Sequence, residues 1–143
     1  MPEDAKMGTD WFIKAECPRP DKEAKDKEEH IKACSWCPFV IWQNPESVAM
    51  FMSSMCGVRV GSIGMAADLD DIGQKLTGIS YFTKVDNSAS MKLNILQQIK
   101  EYSQRNGWDI DGFSQQDTLE HLDSLIEFCK RAEEKNLDIW AWA

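Results

Sequence analysis

The stretch SQQDTLEHLDSLIEFCKRAEEKNLDIWAWA, residues 114–143, decides the fold class. Ser114 is a hydroxyl N-cap with Asp117 three positions on. Leu119, Leu122, Leu125, Ile126, Cys129 and Ala132 then recur at the spacing of one helix face. The pattern predicts a helix that ends near Asn136. Directly after it the apolar period shortens to two: Asp138-Ile-Trp-Ala-Trp puts Trp140 and Trp142 on one face of a strand.

Working outward, Ser88 or Ser90 opens a helix to about Arg105. Met91, Ile95, Ile99 and Tyr102 form its stripe, and Asn106-Gly107 closes it. Ile79–Val85 reads as a strand. Ala66–Leu76 reads as a helix in which Gly73 costs about 1 kcal/mol relative to Ala, and Val58–Val60 as a short strand. Upstream, Asn44-Pro45-Glu46 starts a helix to about Met55, and the charged run over 21–33 reads as a solvated helix. Trp11, Ile13, Ala15 and Cys17 share one face of an expected strand over 11–17. Residues 1–9 read as a flexible leader and 10–143 as a single globular domain. The mixed order predicts an α+β fold: a small, partly antiparallel sheet of about four strands covered by about five helices.

The chain has 143 residues and a net charge of −8, with no apolar run long enough for a membrane span. Such a charge disfavours direct contact with nucleic acid or an anionic membrane. The five cysteines and the polar N-terminus, without a signal-like apolar core, fit a reducing cytoplasm. The acidity is not spread evenly. Residues 109–143 hold nine acids and three bases, a net −6, which leaves −2 for residues 1–108. On the last helix Glu120, Asp123, Glu127 and Glu134 recur at helical intervals and form an acidic ridge beside the leucine stripe.

Several patterns bear on chemistry. Cys34-Ser-Trp-Cys37 is a C-x-x-C pair that, with Cys17 and His30, would make a Cys/His quartet for zinc, or a redox couple. A second C-x-x-C is missing from the sequence. Met50, Met52 and Met55 read as core filler or an adaptable surface. Gly57-Val-Arg-Val-Gly61-Ser-Ile-Gly64 lacks the spacing of a phosphate loop, and Asp68, Asp70 and Asp71 would oppose an anion. Asp109-x-Asp111 with Asp117 resembles a cation-binding start, without the ligands that should follow. His121, beside the leucine stripe, is expected as a partly exposed surface side chain. No nucleophile elbow or metalloprotease motif is present in the sequence.

These features point to a non-enzymatic interaction protein, without a cofactor, that inhibits or neutralises a protein partner with a basic surface through Glu120, Asp123, Glu127 and Glu134. Bacterial immunity proteins and phage-encoded inhibitors of host defence share its size and acidity, an analogy of type alone. Two alternatives stand beside it. One is a metal- or thiol-dependent protein centred on Cys34 and Cys37. The other is a small-molecule module with a tryptophan-lined pocket that includes Trp140 and Trp142.

Overall fold

Three serines start the three helices. In the computed structural model, which describes residues 8–13, 29 and 57–142, Ser62 caps α1 (Ile63–Thr77), Ser88 caps α2 (Ala89–Asn106) and Ser114 caps α3 (Gln115–Glu134). Each hydroxyl accepts a bond from the backbone N–H three residues on, at 3.4, 3.2 and 3.0 Å respectively. This satisfies a donor that the first helical turn leaves orphaned. Gly107, at φ 69, ends α2 in left-handed backbone.

The strands are β1 (Thr9–Phe12), β2 (Gly57–Gly61), β3 (Asn87–Ser88) and β4 (Asp138–Trp142), in the spatial order β2-β1-β4-β3. Every pairing among them is antiparallel. The sheet is in effect three-stranded, because β3 adds only the rungs Asn87↔Ile139 and Ser88↔Asp138. Beyond them the Asp86 carboxylate accepts the Ala141 N–H at 2.8 Å, so a side chain stands in for the next rung.

The α+β class therefore holds, with fewer elements than the sequence suggests: three helices and this small sheet among the described residues. Of the helix expected over 21–33 only Glu29, which is helical, is described; the helix expected over 44–55 and the strand expected beyond Ile13 lie outside the described residues. β1 begins at Thr9, within the stretch read as a leader.

One expected strand is absent. Ile79–Val85 reads as a strand in sequence, yet it folds as a turn, with the Lys84 N–H donating to the Tyr81 carbonyl at 3.0 Å. Its backbone is satisfied by side chains instead of a neighbouring strand. The Thr83 N–H and hydroxyl donate to the two Asp70 oxygens at 2.9 and 2.7 Å. The Thr83 carbonyl accepts from Trp11 Nε1 at 2.8 Å. Lys92 Nζ donates to the carbonyls of Phe82 and Val85 at 2.5 and 2.8 Å.

Helix stripes and one sheet face share a core that includes Trp11, Val60, Leu69, Phe82, Leu96, Ile99, Leu122, Leu125 and Ile139. Met91, read as part of the α2 stripe, is 39% exposed. Ile95 and Ile99 of that stripe are buried, and the buried face of α2 extends on to Lys92, Leu93, Leu96 and Ser103. Gly73 has a reason to be in α1. A Cβ there would lie 2.9 Å from Phe82 Cε1 and 3.2 Å from Ile95 Cγ2. Gly73→Ala is accordingly expected to destabilise the fold by about 1–2 kcal/mol, overpacking outweighing alanine's helix preference. Urea denaturation checks this; a more stable variant would show that the Phe82 ring turns aside freely.

On the other sheet face Asp10 and Phe12 are also fully buried. Phe12 meets Trp140 edge-on at 5.6 Å. Arg59 Nη1 donates to both Asp10 oxygens at 3.3 Å. Burial pushes the Asp10 carboxyl up to about 7, with Arg59 pulling the other way. The folded state therefore holds this proton between the ordinary carboxyl range and about pH 7, where the unfolded chain has lost it. Its contribution to stability is complete below pH 4 and lost as pH rises through 7. Wild type should thus gain stability relative to Asp10→Asn on acidification from pH 7 to 4. Paired denaturation curves test this, and a relative loss would mean that the pull of Arg59 dominates.

Candidate functional site

The α1 sequence Asp68-x-x-Asp71-Ile72-x-x-Lys75 places four side chains at helical spacing on one face. Opposite them stand Tyr102, near the end of α2, and the loop that carries Trp108, Asp109 and Asp111. Together they line an open groove of about 480 Å³. Two acidic motifs far apart in sequence thus become one site.

The loop is held by several bonds. The Asp111 N–H donates to Asp68 Oδ2 at 3.0 Å, which joins the two acidic segments directly. The Ile110 N–H donates to Thr118 Oγ1 at 3.1 Å, and the Phe113 N–H to the Ile110 carbonyl at 2.8 Å. The buried Ser103 hydroxyl donates to the Trp108 carbonyl, and Gln115 Nε2 donates back to the Ser103 hydroxyl at 3.0 Å. Such cross-ties hold the Asp68 carboxylate and the loop backbone that carries Asp109 and Asp111.

Four carboxylates line the groove with one ammonium, Lys75. That ammonium sits 3.4 Å from the Tyr102 hydroxyl and 5.5 Å from the centre of its ring. Asp109 Oδ1 is buried and has no hydrogen-bond partner. A buried acceptor in that state calls for a donor. The chemistry offered is negative charge beside two aromatic rings, which suits a cationic group. Among the described residues no three His, Cys, Asp or Glu side chains are arranged to hold a metal ion.

The α3 ridge is exposed along Glu120, Asp123, Glu127 and Glu134. Local partners engage part of it. Asp123 pairs with Lys100 of α2 at 2.6 Å, Glu127 lies 3.8 Å from Lys130, and Glu120 accepts from Gln116 at 3.1 Å. Trp140 and Trp142 are half-buried on β4, on the same strand face, as the alternation predicts. Trp108 lines the groove, whereas Trp11 is fully buried beneath Lys92.

His121 keeps the partly exposed position expected of it. It is half-buried against Phe113, and its Nε2 lies 2.6 Å from the Val60 carbonyl, to which it donates. Burial holds the imidazole below its ordinary range, with the Val60 bond opposing. It ties α3 to β2. Cys129 is buried, and desolvation pushes its thiol up to about 12, so it behaves as a small apolar core group. Cys17, His30, Cys34 and Cys37 lie outside the described residues, as do Trp36 and Trp42.

No helix among the described residues is long and apolar enough to cross a membrane. No protein-family model, curated protein or solved structure matches the chain.

Proposed function

We propose that this is a non-enzymatic interaction protein that binds a basic protein partner and inhibits or neutralises it, in the manner of an immunity-type or anti-defence-type inhibitor. The observation that carries this reading is the groove. Asp68, Asp71, Asp109 and Asp111 converge beside Trp108 and Tyr102, and one Asp109 oxygen is buried without a donor. An arginine or lysine side chain supplies positive charge to a groove lined by four carboxylates and a single ammonium. The exposed acids of α3 contribute a broader negative field that speeds encounter without fixing a pose.

The test uses the whole chain and a fluorescent nona-arginine peptide, whose anisotropy reports binding. Two double variants remove the same charge from different places: Asp71→Asn/Asp109→Asn in the groove and Glu127→Gln/Glu134→Gln on α3. With about 0.7 kcal/mol for each carboxylate, the groove pair should weaken affinity about tenfold. The α3 pair should chiefly slow association, and more so at low salt. Equal losses in both variants would mean that net charge alone attracts the peptide, and the groove assignment would fall.

A further inference from the structure

We draw no further inference here: the strongest candidate, the exposed Tyr81–Val85 turn between α1 and β3, presents an aromatic ring on left-handed backbone at φ 54, but nothing in the structure shows what covers it.

Discussion

Lys92→Met is expected to lower stability by about 2–4 kcal/mol, which for a domain of this size is a drop of about 10 °C in Tm. Lys92 has no exposed surface, although it sits in the first turn of an amphipathic helix. Its ammonium lies 4.8 Å from the centre of the Trp11 ring and donates to the Phe82 and Val85 carbonyls. Methionine fills the same volume, so cavity formation is not the issue. The loss comes from two carbonyl acceptors left without a donor, each at about 1–3 kcal/mol. Relief of the buried charge offsets part of it.

A pH series separates these two contributions. Burial lowers the Lys92 ammonium to about 8, against the raising influence of Cys129, Asp86 and Asp70. Between that value and the ordinary lysine range the unfolded chain binds the proton and the folded chain does not. Wild-type stability from this group therefore rises with pH from about 8 to 10.5. The neutral amine keeps two N–H donors for its two carbonyls. The deficit of Lys92→Met should accordingly widen at alkaline pH, as measured by urea unfolding at pH 7, 8.5 and 10. A deficit that shrinks with pH would mean that the ammonium itself, not its hydrogen bonds, stabilises the turn.

The same residue shows where a sequence stops being legible. Hydrophobic period and serine caps locate α2 and α3 to within a few residues, because both signals are local, whereas the cap Ser62 goes unread and α1 starts three residues before the expected Ala66. β2 and β4 are equally visible. On α2 the expected stripe finds the buried Ile95 and Ile99 but includes the exposed Met91, and it misses a lysine and a serine, Lys92 and Ser103, in buried places that an apolar pattern does not mark. Ile79–Val85 reads as a strand. What makes it a turn is a set of side chains 7 to 72 residues away in sequence, on α1, α2 and β1. The groove is hidden for the same reason. Asp68 and Asp71 look like acids on a helix, and Asp109 and Asp111 like acids before one. Only the packing of α1 beside α2 and its following loop brings them together.

The second large effect is expected at Asp70, where two substitutions act on different physics. Asp70→Ala strips the acceptor from the Thr83 backbone N–H and hydroxyl, both buried, and should destabilise by about 3–5 kcal/mol. Asp70→Asn preserves both contacts. Its amide oxygen accepts the Thr83 N–H, and its NH2 donates to a Thr83 hydroxyl that rotates to accept. What asparagine removes is the negative charge that favours the Lys92 ammonium. Its cost should be about 1 kcal/mol in wild type and close to zero in the Lys92→Met background, giving a coupling between the two sites in a double-mutant cycle. The penalty of alanine should persist in both backgrounds, since the orphaned Thr83 donors do not depend on Lys92. If asparagine proves equally costly with and without Lys92, the two buried charges act independently and Asp70 serves the turn through hydrogen bonding alone. If alanine becomes harmless once Lys92 is methionine, the turn is instead held by the charge pair, and the Thr83 donors find water when Asp70 is gone.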